Sequence, residues 1–339
     1  MKSKLIAALA VLATFTVQLQ QARQVYRFEK QEFSGGRWFK GNTHTHTTNS
    51  DGDTSPDSVA RWYKSHGYQF LVMSDHNVFT NPASVTSLND STFLLIAGEE
   101  LTTSFAKKPV HVNGLNIPRV LEPQKDTTLL GTIQKNVDEV RSVRGVPHIN
   151  HPNFGWAIGH DVLRRVRNDR LLEIINGHPL VHNHGGGGTP SVESVWDTLL
   201  TSGMRIYGIA VDDAHHFKGE FAANRSNPGR GWVCIRANRL AAEDLMENLE
   251  AGLFYASTGV ELNDIRVSDS TLTIEAKQQS DFKYTIEFIG DKGVLLKTTA
   301  GPRGEFALTG PLTYVRARVR DSGGAVAWVQ PVFVQTARQ

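Results

Sequence analysis

Residues 41–52 of the chain read GNTHTHTTNSDG and directly follow the apolar pair Trp38 and Phe39. A strand that runs into a loop here would place His44 and His46 on one face, because alternate side chains of a strand point the same way. Both imidazoles could then reach one metal ion, and Asp51 in the following turn could reach a neighbouring ion. A polar turn rich in Thr and Asn explains the same residues without a metal. The choice between these two interpretations therefore depends on the rest of the chain.

Apolar runs that end in polar clusters recur along the first two thirds of the chain. They begin near residues 70, 93, 146, 170 and 205, and continuous runs of this kind are typical of buried parallel strands. Helices with capping residues are predicted between several of them, at 55–66, 128–144 and 191–200. Alternating strands and helices predict an α/β fold with a parallel sheet or barrel, whose carboxyl strand ends form the active face.

Nine His, Asp and Glu side chains lie at these predicted strand ends and are candidate metal ligands. They are His44, His46, Asp51, His76, Glu100, His111, His151, Asp213 and His215. Imidazole and carboxylate donors without thiolates suit Zn, Mn or Fe. Nine donors are too many for one tetrahedral ion, so two or three divalent ions that share bridging carboxylates are expected.

The sequence texture changes near Gly259. Short runs of alternating apolar and polar residues, such as 284–289 and 314–319, are separated by turns and predict antiparallel strands. We therefore expect a small β-sandwich domain over residues 259–339, after a catalytic domain over residues 37–258. The second domain contains no His and is expected to support the first rather than to catalyse.

Residues 1–22 resemble a cleaved secretory signal. Lys2 and Lys4 precede an apolar core from Leu5 to Val17, which is shorter than the roughly 20 residues that a membrane anchor needs. A secreted or periplasmic protein without a membrane anchor is therefore expected. Loss of the two lysines changes the formal charge from +2 to 0, which offers no general attraction to long nucleic acid. The single Cys234 cannot form an internal disulfide.

Taken in order, the polar clusters resemble the PHP (polymerase and histidinol phosphatase) superfamily over residues 37–260. The motifs that carry the resemblance are His44-Thr-His46, Ser50-Asp51-Gly52, Asp75-His76-Asn77, Gly98-Glu99-Glu100, His111, His151-Pro152, Glu173 with Asn176-Gly177, and Asp213-Ala214-His215. The resemblance implies a distorted (β/α)7 TIM-like barrel with a metal cluster at its mouth. Within the superfamily, GNTHTHTTNSDG, IYGIAVDDAHHF and GLFYASTGV are similar to the branch of carbaryl-hydrolase-type metallohydrolases.

The resemblance also implies a role for each ligand. His44, His46 and Asp213 would bind a first ion, Glu100 would bridge it to a second, and the remaining five candidates would complete a two- or three-metal set. The chain departs from the usual pattern twice. Glu99 is an extra acid before Glu100, and Asp212 replaces a small residue before Asp213.

The expected activity is hydrolysis of a small-molecule ester, with a phosphorylated substrate preferred and a metal-bridged hydroxide as the nucleophile. Asp213 and His148 are candidates for proton transfer, although His148 could equally be a hydrogen-bonded core residue. Arg225 and Arg230 could clamp a phosphate or could be solvated surface groups. One alternative is a carboxylic or carbamate ester hydrolase on the same site. The other is a metal-loaded binding protein without turnover.

Neighbouring polar residues are expected to have supporting roles. Asp75 is predicted to orient the ligands around it, and Glu173 to orient a ligand or the loop through Asn176. His178, His182 and His184 flank the glycine-rich stretch 185–188. They are expected to be surface residues, with a lid or a substrate contact as the alternative. The sequence does not indicate an oligomeric state.

Overall fold

The protein is described here from a computed structural model that covers residues 24–33 and 35–338. The predicted signal over residues 1–22 lies outside the described residues, so it stays a prediction. Within the described part of the chain, no helix is both long and apolar enough to cross a membrane.

The described residues form many strands and few helices. The strands are β1 (Gln24–Phe28), β2 (Arg37–Asn42), β3 (Phe70–Met73), β4 (Leu94–Phe105), β5 (Lys108–Leu115), β6 (Val146–Ile149), β7 (Leu171–Asn176), β8 (Tyr207–Val211), β9 (Trp232–Ala237), β10 (Phe254–Ser257), β11 (Leu262–Val267), β12 (Thr271–Ala276), β13 (Tyr284–Gly290), β14 (Val294–Ala300), β15 (Arg303–Ala307), β16 (Tyr314–Asp321) and β17 (Val326–Arg338). The α-helices are α1 (Pro56–Ser65), α2 (Leu129–Ser142), α3 (His160–Leu163), α4 (Val192–Thr201) and α5 (Ala242–Glu250). Short 3-10 helices cover Pro82–Leu88, Phe154–Trp156 and Asp291–Gly293.

The predicted helices form where the sequence carries capping residues. Pro56 opens α1 at a position where its missing N–H is not needed, and Gly67, with φ of 77°, follows its end. The hydroxyl of Thr128 accepts a hydrogen bond from the N–H of Gly131 at the start of α2. Ser191 caps α4 in the same way. These caps satisfy N–H groups that have no partner inside the helix.

One large mixed sheet forms the centre of the fold, in the order β14-β13-β16-β17-β10-β9-β2-β3-β4-β5-β6-β7-β8, with β1 paired to β17. Strands β2, β3 and β4 run parallel, as do β6, β7 and β8. A parallel bridge between Thr45 and Ala214 joins the segments that follow β2 and β8. The run of strands from β2 to β8 therefore curves round until the segments that follow β2 and β8 meet. A continuous ladder does not pair β8 with β2 among the described residues, and the closed barrel stays a prediction.

The alternating pattern predicted a uniformly parallel sheet in the first two thirds of the chain, and the structure differs at one strand. Strand β5 is antiparallel to both β4 and β6. A tight turn at Ala106 and Lys107, with φ of 48° and 65°, joins β4 directly to β5. A hairpin with positive φ at both turn residues needs no crossover helix. Because the turn lacks the Asn-Gly or Asp-Gly signal of such hairpins, no local pattern predicts it.

The C-terminal residues form antiparallel strands, as their alternating pattern predicted. Strands β13, β14, β16 and β17 continue the central sheet through β10, while β11, β12 and β15 form a separate three-stranded sheet. The sheet thus crosses the predicted boundary near residue 259 without a break, and the division into two domains stays a prediction. Buried apolar side chains such as Ile274, Phe288 and Val319 share one core cluster between these strands.

Candidate metal centre

The candidate ligands converge beside the carboxyl ends of the parallel strands, with Glu100 and His111 inside β4 and β5. His44 and His46 follow β2 in an extended segment, and Asp213 and His215 follow β8 in a second one. Backbone hydrogen bonds join the two segments, from the His46 N–H to the Ala214 oxygen at 2.9 Å and from the Asp213 N–H to the His44 oxygen at 3.0 Å. The two i, i+2 pairs therefore lie side by side, which brings four candidate ligands together.

Four ligand atoms form the most compact group. The Nε2 atoms of His44 and His46 lie 3.1 Å apart, and the Asp213 Oδ1 lies 3.3 and 3.1 Å from them. The Glu100 Oε2 lies 3.3 and 3.4 Å from the same two nitrogens. In a tetrahedral site with metal–ligand distances near 2.0–2.1 Å, neighbouring ligand atoms lie about 3.3 Å apart. The Nε2 atoms of His44 and His46 and the Asp213 Oδ1 fit that spacing, and the Glu100 Oε2 lies beside the two imidazoles.

Two further groups extend the cluster on either side of His76. Its Nε2 lies 3.6 Å from the Asp51 Oδ2, and the other Asp51 oxygen lies 3.3 Å from the His215 Nε2. On the other side, the His76 Nδ1 is 2.8 Å from the Glu100 Oε2. The second Glu100 oxygen lies 2.9 Å from the His111 Nδ1 and 3.4 Å from the His151 Nε2. Each of the nine candidates thus has a ligand atom within 3.4 Å of a ligand atom of at least one other candidate.

Several atoms of the cluster are buried without a hydrogen-bond partner. They include the Glu100 Oε2, the His46 Nδ1 and the His111 Nδ1. Nitrogen atoms lie close to the Glu100 oxygen, but their geometry does not satisfy a hydrogen bond. Because an unpartnered buried carboxylate oxygen is costly, its surroundings require a bound cation or proton. The donor set, its spacing and these free atoms fit a cluster of divalent ions.

Charge coupling across the cluster also favours metal binding. Burial opposes protonation of His44, but Asp213 and Glu100 raise its pKa well above the ordinary value. Burial, together with His215, lowers the pKa of His46 to about 4. Burial alone would raise the pKa of Glu100, whereas the imidazoles around it, His44 first, hold it well below its ordinary value. Ionised carboxylates and a neutral His46 are therefore available as ligands near neutral pH, whereas His44 would release a proton when a metal ion binds.

A shell of hydrogen bonds fixes the ligands. The Glu173 Oε1 lies 2.6 Å from the His44 Nδ1, and its Oε2 accepts from the His151 N–H at 2.7 Å. The Asn176 amide donates to both Glu173 and Asp213, at 2.9 and 3.1 Å. With its Nδ1–H held by Glu173, His44 presents the Nε2 lone pair to the cluster. The sequence indicated an orienting role for Glu173, and the contact to His44 specifies it.

Asp75 holds the loop that carries Asp51. Its carboxylate accepts hydrogen bonds from the Thr47 N–H at 2.7 Å, the Ser50 hydroxyl at 2.8 Å and the Thr80 hydroxyl at 2.6 Å. It therefore orients the loop and is not directed at the cluster. Asp212 is also turned away, since it accepts N–H bonds from residues 229–231 and the Tyr63 hydroxyl.

The backbone is unusual where it delivers two of the ligands. Asp213 has φ of 50° and His151 has φ of 21°, in the left-handed region that L-residues seldom adopt. Such strain persists where surrounding contacts enforce it and is concentrated at functional sites. At Gly52, an added Cβ would lie 2.7 Å from the His46 carbonyl atoms, so only glycine allows the Asp51 loop to fold back this closely.

A cavity of about 150 Å³ opens onto the cluster. Phe154, His178 and Val181 complete its lining beside seven of the candidate ligands. The Phe154 ring packs edge-on against His151, with ring centres 5.2 Å apart. No sequence pattern points to Phe154 or Val181, because single apolar residues in loops are common. His178 was expected at the surface, and its position on the cavity wall matches the substrate-contact alternative.

The other predicted site residues lie outside this cavity. His148 is fully buried behind His44, with its Nε2 3.5 Å from the Thr43 carbonyl oxygen, and burial lowers its pKa to about 4. The Arg225 guanidinium donates to the Lys218 carbonyl, and Arg230 donates to the carbonyls of Gly177 and Ala222. No Lys or Arg lines the cavity among residues 24–33 and 35–338. His182 stacks on Trp156 with ring centres 4.4 Å apart.

Comparison with solved structures supports the fold. The chain is similar to a two-domain protein from Bacteroides vulgatus that contains a predicted PHP-like metal-dependent phosphoesterase, with a TM-score of 0.50 and 14% identity over 92% of this chain and 98% of that one. An amidohydrolase from Chromobacterium violaceum with bound sulfate is more remote, with a TM-score of 0.40 and 14% identity over 55% of this chain and 93% of that one. No protein-family model matches the sequence, and no curated protein matches it. The resemblance to PHP proteins is thus confirmed as a likeness of fold, whereas the carbaryl-hydrolase branch stays a prediction.

Proposed function

We propose that the protein is a metal-dependent hydrolase that cleaves a phosphoester at a site for two or three divalent ions. The observation that carries this proposal is the convergence of nine imidazole and carboxylate side chains around buried atoms that lack partners. The donor set suits Zn, Mn or Fe. Divalent ions held there would supply an acidified water and would stabilise negative charge on the ester.

The residues of the chain hold the reacting groups in place. The ring Nδ1 of His44 is fixed by Glu173, and that of His215 is fixed by the Asp213 carbonyl at 2.9 Å. Both rings thereby present Nε2 to the cluster. Asp213 is held by the Asn176 amide through one oxygen and faces His46 with the other. These contacts pre-organise the site before a substrate binds, which lowers the cost of reaching the transition state.

A carboxylic or carbamate ester is the second candidate substrate, and the composition of the cavity favours it. Phosphate sites commonly use Arg or Lys. The cavity lining has neither type of residue, and the two predicted arginines donate to backbone carbonyls instead. The ions alone would then have to neutralise the negative charge of a phosphate, whereas a carboxylic or carbamate ester carries no charge that needs neutralising.

Hydrolysis by the purified, metal-analysed protein tests the proposal. The substrates would be p-nitrophenyl phosphate, bis-p-nitrophenyl phosphate and p-nitrophenyl acetate, with Mn or Zn supplied. We expect turnover of a phosphate ester that His44→Ala and Asp213→Ala reduce at least about 1000-fold. Arg61→Ala, which removes an exposed pair with Asp57, is the control and should retain activity. Turnover of the acetate alone would select the second candidate. Two bound ions without any turnover would support a binding protein.

A further inference from the structure

His178 lies between the metal cavity and a second hollow. It lines the cavity of about 150 Å³ that opens onto the cluster and also a neighbouring groove of about 590 Å³. The other groove residues carry no formal charge and are Pro179, Leu180, His216, Ala223, Asn224 and Ser226. Leu180 is 59% exposed, so its side chain is open to contact from a bound group. The groove is therefore suited to an uncharged organic group next to the metal cavity.

The hydrogen bonds of His178 define which ring nitrogen carries the proton. Its Nδ1 accepts a hydrogen bond from the Leu180 N–H at 3.2 Å, so the neutral ring carries its proton on Nε2. In the described part of the chain, no hydrogen bond is found for the Nε2–H. A free N–H donor thus lies at the junction of the cavity and the groove.

The backbone contacts of the 177–180 segment fix this donor in position. The His178 N–H donates to the Asn176 Oδ1 at 2.8 Å, and the same Asn176 side chain holds Asp213. The Arg230 guanidinium donates to the Gly177 and Ala222 carbonyls and so joins the two walls of the groove. A Cβ at Gly177 would lie 2.7 Å from the Asp212 carbonyl oxygen. The glycine is therefore needed for this close approach.

We propose that the Nε2–H of His178 donates a hydrogen bond to the leaving oxygen of the ester and keeps its proton, while the uncharged organic group of the leaving alcohol lies in the groove. In this step the oxygen of water bonds to phosphorus or carbon as the bond to the leaving oxygen breaks. The bonding electrons stay on the leaving oxygen. The proton lost by the water balances the proton that this oxygen finally gains. The proposal rests on the proposed hydrolase function and applies to either ester class.

A series of aryl esters with leaving phenols of increasing pKa tests the donor. We expect His178→Leu to reduce kcat by about 100-fold for the poorest leaving group and only a few-fold for p-nitrophenol. His178→Gln retains an N–H donor and should recover part of the loss. Metal content and thermal stability should match the unmodified protein. An equal loss across the whole series would overturn the donor role.

The groove is tested with the same esters and with Leu180→Asp, which places a charge on its wall. KM for the aryl esters should rise about tenfold, and KM for the corresponding methyl esters should change little. An unchanged aryl KM would overturn the placement of the organic group. If the unmodified protein hydrolyses no ester, the proposed function fails. If the unmodified protein is active but His178→Leu shows the same dependence on leaving-group pKa, only the inference about His178 is overturned.

Discussion

Two clusters of buried charge lie in this fold, and they are neutralised in different ways. At the metal centre, carboxylates and imidazoles converge and leave atoms such as the Glu100 Oε2 without a partner. Between α4 and β16, the Arg316 guanidinium instead donates to both Asp197 oxygens at 2.7 Å, and the Tyr314 hydroxyl donates to one of them at 2.8 Å. In the second cluster, opposite charges pair within the chain, since Arg316 contacts both Asp197 and Glu193, although its Nη1 has no hydrogen-bond partner. In the first cluster, the unpartnered atom belongs to a carboxylate, and its charge calls for a cation from outside the chain. Buried charges that are paired within the chain, as at Asp197 and Arg316, have a structural role, whereas an unpaired buried carboxylate marks a binding site.

Metal removal should have the largest effect and should act only on the first cluster. We expect dialysis against a chelator to abolish hydrolysis and to lower the free energy of unfolding by about 4 kcal/mol, relative to protein with free metal at 1000 times Kd. The reason is that the ions bind the folded site and not the unfolded chain. Thermal unfolding and activity, each measured before and after metal is restored, check this. Protein that is equally stable and active without metal would contradict the comparison.

Breaking the second cluster should destabilise the protein without altering its metal content. Arg316 is 1% exposed, so Arg316→Met leaves the Asp197 carboxylate buried without its cation. Loss of one partner from a buried pair costs about 3–5 kcal/mol. Urea unfolding measures the change. Arg320→Met is the matched control, because its pair with Glu287 is exposed and should contribute less than about 1 kcal/mol. If both variants lose the same free energy of unfolding, the buried pair is no more important for stability than the exposed one.

The hydrogen bond behind His44 should have an intermediate effect. Glu173→Gln keeps the shape of the side chain but weakens the acceptor that orients the His44 Nδ1–H. Such changes typically reduce metal affinity about 10–100-fold. Competition with a chromogenic chelator measures the affinity, and the unfolding of the metal-free protein should change less. Unaltered affinity would assign Glu173 to the packing of β7 alone.

The convergence of the candidate ligands could largely be predicted from the sequence, because their spacing follows local rules. An i, i+2 pair after an apolar run, as at His44 and His46, needs only strand geometry, and α1 and α4 follow from capping residues. The hairpin from β4 to β5 and the continuation of the sheet into β16 depend on long-range pairing. No local pattern encodes that pairing. The ion pair of Asp197 and Arg316, 119 residues apart, could not be predicted for the same reason.

The cavity wall was also beyond sequence reasoning. Phe154 and His178 are single residues in loops, and their position depends on contacts such as those from Arg230 to two carbonyls. The same contacts explain why Arg225 and Arg230 do not line the cavity. The sequence leaves open whether these arginines clamp a phosphate or are solvated at the surface, whereas in the structure they donate to backbone carbonyls of loops.

The adjacent acids Glu99 and Glu100 on β4 show the same contrast between two buried carboxylates within one strand. Their side chains point to opposite faces of β4, and only Glu100 faces the metal centre. Glu99 is fully buried, with one oxygen that accepts the Leu121 N–H at 2.8 Å and a second that has no partner. Burial raises its pKa to about 7. Among residues 24–33 and 35–338, no cationic side chain forms an ion pair with this carboxylate, so a bound proton is what removes its charge.

Glu99→Gln should therefore change how stability depends on pH. A carboxyl whose pKa is raised on folding binds more protons in the folded state, so the free energy of unfolding falls as pH rises from about 4.5 to about 7. The amide resembles the protonated acid and has no such loss. We expect Glu99→Gln to equal the parent near pH 4 and to exceed it by on the order of 1 kcal/mol at pH 8, less than the full shift because water can reach an ionised carboxylate. Urea unfolding at both pH values measures this, with Glu122→Gln as an exposed control. A parent and variant with the same pH dependence would show that Glu99 is already ionised at low pH, and hence that a cation neutralises it as well.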